Sequence, residues 1–147
     1  MATTRRVLFA SDFSKASRRA FTTAVATAKA SRARLTIMHV ILPFVPIVPE
    51  QFLDTRTYEL IDKEARRMSQ QHLRQLMTKA TKAGVRVTGF IVEGQPAEEI
   101  ARAVRTTRAD LLVVGTHGRT GLRRFFVGSV ASRLVATATC PVMTVRG

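Results

Sequence analysis

The chain has one cysteine, no tryptophan, one tyrosine, and ten carboxylates against twenty-four lysines and arginines. Each shortage excludes something. A single thiol, Cys140, can form neither an internal disulfide nor a Cys-rich metal framework, which points to a reducing compartment. Aromatics make up 6% of residues and lie mostly inside apolar patterns, so the stacking platform of many single-strand nucleic-acid binders is not evident. Long apolar runs are missing as well. The opening MATTRRVLFASDF carries only a short apolar run before Ser11 and Asp12, which does not read as a signal peptide, and no run approaches the length of a membrane span. A cytoplasmic protein with no membrane partner is the expectation.

The scarcity of acids leaves a formal charge of +14. One reading is a functional face for nucleic acid or another polyanion; the other is the solvated surface of a protein from an Arg-rich proteome. Arginines are scattered from Arg5 to Arg146, with no block and no basic tail, which favours the second reading. Nucleic acid therefore stands as an unfavoured partner.

What is present is a regular alternation. At 147 residues and 46% hydrophobic, the chain is expected to form one domain over residues 1–147. Val7 to Ala10 reads as a short buried strand. Ser14 is a good helix N-cap, and Ala20, Phe21, Ala24, Val25 and Ala28 then repeat at helical spacing. RLTIMHVI is a second strand, rich in β-branched residues. Pro43, Pro46 and Pro49 make the next stretch an extended loop. A long helix is expected from about residue 56 to 83, with Ile61, Ala65, Met68, His72, Leu76 and Ala80 as its inner stripe and Gly84 as its terminator. VRVTGFIV is strand three. Pro96, Glu98 and Glu99 suit the first turn of a following helix. ADLLVVG reads as a strand buried on both faces, a helix spans about Ser129 to Ala138, and PVMTV is the last strand. Alternation of this kind predicts an α/β fold with a parallel sheet covered on both faces.

The segment from Gly115 to Leu134 leaves the most apolar short run of the chain and carries four glycines before its helix begins. In open parallel sheets, ligands bind beyond the carboxyl ends of strands. Gly115 is the first residue past such an end, where a missing side chain lets a ligand approach backbone. Gly118 can supply a positive φ, and Gly128 and Ser129 open a helix whose free amides favour an anion. Arg119, Arg123 and Arg124 add charge nearby. The segment does not match the P-loop or the dinucleotide fingerprint, so two readings stay open at this stage: phosphate binding, or turn glycines with a purely structural role.

The spacing Gly115-x2-Gly118-x9-Gly128-Ser129 resembles the nucleotide-binding signature of the universal stress protein family. The resemblance extends over nearly the whole chain: VLFASDFS is similar to the family's first strand and turn, LTIMHVI to its second strand, VGTHGRTGLRRFFVGSVASRLV to its signature loop and helix, and TCPVMTV to its last strand. It implies an open parallel five-stranded sheet of order 3-2-1-4-5, Rossmann-like, with helices on both faces. It also implies ATP as ligand, with Mg2+ or Mn2+ at the phosphates. By resemblance, Asp12 contacts the ribose, backbone at Val40 contacts adenine, and Gly115, Thr116, His117, Gly118, Arg119, Gly128 and Ser129 hold the phosphates. Ala10, Ser11 and Val130 complete the expected cofactor-binding set. Asp12 has an alternative role as a helix-flanking acid. Thr116 and Arg119 stand where Ser and Lys are common in the family, and both keep the local character.

Phosphoryl transfer needs a metal-binding acid and a positioned base, and Asp12 is the one acid expected near the crevice. Little or no turnover is expected, at most weak ATP hydrolysis. His117 has a base among its readings, but a ligand hydrogen bond or plain solvation fits a lone loop histidine better. His39 and His72 read as satisfied structural histidines and Cys140 as a buried, inert thiol. Strand five, with Val142, Met143, Thr144 and Val145, is an apolar edge that invites pairing with a second copy, and the resemblance implies such a homodimer; Pro141 and Arg146 protecting a monomer's edge is the alternative. The expected protein is a nucleotide-responsive regulatory or stress-response protein. The alternatives are a relative working through protein contacts without nucleotide, and a basic nucleic-acid-associated protein.

Overall fold

The computed structural model describes residues 3–43, 52, 54–116 and 128–147. Nine elements alternate: β1 (Arg6–Ala10), α1 (Lys15–Ser31), β2 (Arg34–Ile41), α2 (Thr55–Lys82), β3 (Val87–Glu93), α3 (Pro96–Thr106), β4 (Leu111–Gly115), α4 (Ser129–Thr137) and β5 (Val142–Val145). The strands form one parallel sheet in the order β3-β2-β1-β4-β5, as the resemblance implied.

Side chains on each strand alternate between two cores. Val7 and Phe9 of β1 face one way, with Leu35 and Ile37 of β2 and Val113 of β4, against Ala20, Ala24 and Ala28 of α1 and Leu73 and Ala80 of α2. Leu8, Met38, Leu112 and Val114 face the other way, against Ile100 and Val104 of α3 and Ala131 and Leu134 of α4. The consecutive apolar residues of β1 and β4 are thus accounted for, since both faces are covered. Each fully buried Leu, Ile or Phe contributes about 1.5–3 kcal/mol.

The caps use the expected chemistry. Ser14 caps α1, its hydroxyl accepting from the Ser17 amide at 3.2 Å. Asp54 caps α2 by accepting from Thr57, and that bond holds its carboxyl below the usual range. Pro96 opens α3 with Glu98 and Glu99 in the first turn. Gly84, just past the cap of α2, has φ +89°, a conformation that glycine adopts without steric cost.

One expected stripe differs. The buried face of α2 is Ser69, Leu73 and Ala80, with Leu76 and Met77 half-buried. Ile61, Ala65, Met68 and His72 are exposed. The physical reason is position: α2 packs on the core only from Ser69 onward, while its first turns carry exposed Tyr58, Leu60 and Ile61.

Candidate functional site

In-register pairing brings the carboxyl ends of three strands level. Ala10 pairs with Met38 on one side and with Val114 on the other, and Gly115 pairs with Val145. Beyond these ends lies a crevice of about 630 Å³, within the ordinary range for small-molecule sites. It opens between β1 and β4, where the strand order reverses.

Of the sequence-expected residues, Ala10, Ser11, Asp12, Val40, Gly115, Thr116, Gly128, Ser129 and Val130 all line this crevice. His117, Gly118 and Arg119, with Arg123 and Arg124, lie outside the described residues, as do Pro46 and Pro49. Sequence reasoning did not assign Phe13, Met68, Ser69 or Pro96 to the site, and they also line it. Only the approach of α2 to the sheet brings Met68 and Ser69 here.

The β1–α1 turn is tightly bonded. The Ser11 amide donates to the Met38 carbonyl at 2.9 Å, and the Ser11 hydroxyl accepts from the Phe13 amide at 3.0 Å. Asp12 Oδ1 accepts from the Ser14 amide at 2.9 Å. Asp12 therefore does flank the helix, and it borders the crevice as well. Phe13 takes a positive φ of 61°, uncommon for a bulky residue. Buried His39 fixes the turn from β2: its Nδ1 lies 2.7 Å from the Ser11 carbonyl, and its ring centroid is 4.3 Å from that of Phe13. His39 is thus the satisfied structural histidine expected. His72 is not, because it is exposed, lines the crevice and sets its ring 5.1 Å from Phe13.

On the opposite wall, the Thr116 amide donates to the Val145 carbonyl at 2.9 Å and its own carbonyl accepts from the Gly128 amide at 2.6 Å. Gly128 is the N-cap of α4 and has no side chain to cap it, so the first amides of that helix, on Ser129, Val130 and Ala131, stand at the crevice with no partner among the described residues.

The need for glycine has a structural cause at Gly128 and departs from the sequence expectation at Gly115. Gly128 has φ −54°, open to any residue, yet a Cβ there would lie 2.6 Å from the Thr116 carbonyl oxygen. The constraint is close approach, not a positive φ. At Gly115 a Cβ would make ordinary contacts of 3.7 Å with Ala16 and Ser17 of α1, so room for a ligand does not explain the glycine.

Asp12 is the one carboxylate among the described residues that line the crevice, and no described group of three or more His, Cys, Asp or Glu is placed to hold a metal ion. Cys140 is half-buried instead of fully buried. Burial pushes its thiol up, so it is protonated at neutral pH. Among the described residues, no helix is long and apolar enough to cross a membrane.

The Universal stress protein family profile matches residues 3–146. A universal stress protein of Methanocaldococcus jannaschii is 33% identical over 144 residues, covering 97% of this chain and 82% of the relative. The solved structure of the universal stress protein UspA from Lactobacillus plantarum is 30% identical, with a TM-score of 0.83 over 99% of this chain and 100% of that one. A universal stress protein in complex with cAMP superposes with a TM-score of 0.74 at 24% identity, covering 99% and 98% of the two chains. A family protein from Arabidopsis thaliana with AMP bound does so with 0.69 at 23%, covering 97% and 91%. The match along nearly the full length of the chain, on a sheet of the same order, shows that it belongs to the universal stress protein family.

Proposed function

We infer that the crevice binds ATP and that the protein works as a cytoplasmic, nucleotide-responsive regulatory protein of the stress response. The observation that carries this reading is the uncapped amino end of α4 opening into the crevice across from Asp12. First-turn amides and the helix dipole favour phosphate there. The other end of the crevice is apolar, walled by Val40, Ile41, Leu42, Met68 and the ring of Phe13, which suits a base with its edge on the backbone of Val40. Asp12 lies between, in reach of a ribose. The bound cAMP and AMP of two structural neighbours support an adenine nucleotide.

Mg2+ or Mn2+ fits this site as a passenger of the nucleotide. With a single carboxylate in the crevice, the cation would be held chiefly by the phosphates and water, which Mg2+ prefers. It would neutralise phosphate charge. The chain's own groups bind and orient. His39 is committed to the Ser11 carbonyl and the ring of His72 lies beside that of Phe13, an arrangement that favours holding ATP over hydrolysing it.

We further propose a homodimer through β5. This strand is the open edge beside β4, with Val142, Met143 and Val145 half-buried in the single chain.

Calorimetric titration of wild type and Asp12→Ala with ATP and with inorganic triphosphate tests the site. A ribose contact is worth about 1.5–3 kcal/mol, so the variant should lose that much ATP affinity while binding triphosphate no worse. Losing the Asp12 bond to Ser14 lowers the melting temperature of both forms and leaves this selectivity untouched. Equal weakening toward both ligands would show that Asp12 does not read the sugar, and no ATP binding by wild type would remove the proposal.

A further inference from the structure

The carboxylates are unevenly placed. None occurs from Phe13 to Pro49 or from Ala65 to Val92, so α1, β2 and the larger part of α2 carry cations without acids, and β3 up to Val92 carries neither. The fold puts both helices on the same face of the sheet. Lys15, Arg18, Arg19 and Lys29 point outward from α1 and are exposed. Arg74, Lys79 and Lys82 are exposed on α2, where Gln71, Gln75 and Thr78 join them to line a shallow hollow of about 410 Å³ with hydrogen-bonding side chains. Exposed Arg32 and Arg86 close the lower end of this face. Among the described residues none of these nine cations is in an ion pair, whereas Arg6, Arg66, Arg67, Arg102 and Arg133 elsewhere are.

The lower end gathers charge from two loops. The Arg86 guanidinium reaches the Arg32 carbonyl at 3.5 Å, which holds two cationic loops together. Arg32 itself caps α1 at φ 54°, where glycine or asparagine is the usual residue.

We propose that the outer face of α1 and the later turns of α2 bind the phosphate backbone of a duplex nucleic acid, without reading its sequence. Helix α1 alone is about 25 Å long, and a duplex presents roughly 15 phosphates over that distance. Arginine forks, ammonium groups and amide and hydroxyl donors match phosphate oxygens. A single strand is disfavoured because among the described residues no large exposed aromatic lies on this face to stack a base. An anionic membrane is disfavoured because the exposed large apolar side chains are elsewhere, at Leu42, at Phe52, along Tyr58 to Met68 and at Val135. This face is distinct from the nucleotide crevice and works with or without ATP there.

The test compares two triple variants that each remove three of the formal +14 charges. One is Arg18→Gln/Arg74→Gln/Lys82→Gln on the face. The other is Arg56→Gln/Lys63→Gln/Arg105→Gln, exposed and unpaired cations elsewhere. Glutamine keeps the helix propensity, and circular dichroism with ATP titration checks that both remain folded. Binding of a labelled 20-base-pair duplex is followed by anisotropy against salt. The face variant should bind roughly a hundredfold more weakly at 0.1 M salt, with its log–log salt slope reduced by about 2.7 (0.9 per phosphate contact), while the control stays within about threefold of wild type. Equal losses in the two variants would mean diffuse charge attraction and overturn the proposal. So would wild type that ignores the duplex at low salt, or that prefers phosphatidylserine vesicles to it.

Discussion

Replacing Gly128 by alanine puts one methyl group where the structure has none to spare. The new carbon would sit 2.6 Å from the Thr116 carbonyl oxygen and 3.5 Å from its carbonyl carbon. Backbone surrounds it, so no flexible side chain can swing away. Either α4 shifts by several tenths of an ångström or the 2.6 Å bond from the Gly128 amide to Thr116 is lost. Overpacking costs about 1–3 kcal/mol, and a lost hydrogen bond is of the order of 1 kcal/mol. A loss of about 2 kcal/mol lowers the melting temperature by roughly 4–8 °C in a chain of this size.

The same shift displaces the amides on Ser129, Val130 and Ala131 from the phosphates. We expect Gly128→Ala to bind ATP at least tenfold more weakly and Gly128→Val more weakly still. Gly115→Ala is the control, since its new carbon meets only ordinary 3.7 Å contacts with α1 and should change melting and affinity little. Calorimetric titration and thermal melting of the three variants decide the matter. A Gly128→Ala protein that melts and binds like wild type would refute the close-approach account.

Asp110 ties β1 to β4 by accepting from the amides of Arg5 and Arg6 at 2.9 and 2.8 Å, and these bonds hold its carboxyl below the ordinary value. A folded-state pKa below the unfolded one stabilises above the unfolded value and is lost as pH falls through the folded one. Asp110→Asn should therefore melt about 1 kcal/mol less stably than wild type at pH 7, with the gap closing toward pH 3, as scanning calorimetry across that range will show. Met143→Lys on the open edge of β5 should turn the proposed dimer into a monomer at micromolar concentration. Light scattering that gives one chain mass for wild type would refute the dimer, and an unchanged two-chain mass for the variant would exclude β5 as its seam.

The alternation of elements was legible because strand and helix differ in period and because Ser14, Pro96 and Gly84 mark their boundaries chemically. The expected site residues within the described segments all line one crevice, since motif spacing fixes which residues stand just beyond a strand end. The inner stripe of α2 was misjudged for a physical reason. Two overlapping series of spacing three and four run along that helix, one through Met68 and His72 and one through Ser69 and Leu73. Which of them is buried depends on where the sheet meets the helix, and buried Ser69 gives no apolar signal. Sequence likewise named Gly128 but not its reason, because a carbonyl approaching from Thr116 is a long-range contact.

The charge was legible as a total but not as an arrangement in space, and one topological rule explains both that and the crevice. Parallel crossovers are right-handed, so strands laid down in one direction place their helices on one face. The steps β1 to β2 and β2 to β3 run the same way, which puts α1 and α2 side by side; the chain then returns to β4 beside β1 and carries on to β5, which puts α3 and α4 on the other face. The reversal between β1 and β4 opens the crevice, with Asp12 on one lip and Thr116 and Gly128 on the other. The unreversed half brings two stretches without carboxylates, distant in sequence, onto a single surface. Arginines that look scattered along the chain are therefore gathered in space, while six of the ten acids, Asp62, Glu64, Glu93, Glu98, Glu99 and Asp110, are engaged with arginines outside that face. A basic surface produced only by an Arg-rich composition would not need this segregation of acids. The two triple variants, equal in charge and different only in place, measure whether the segregation has a binding consequence.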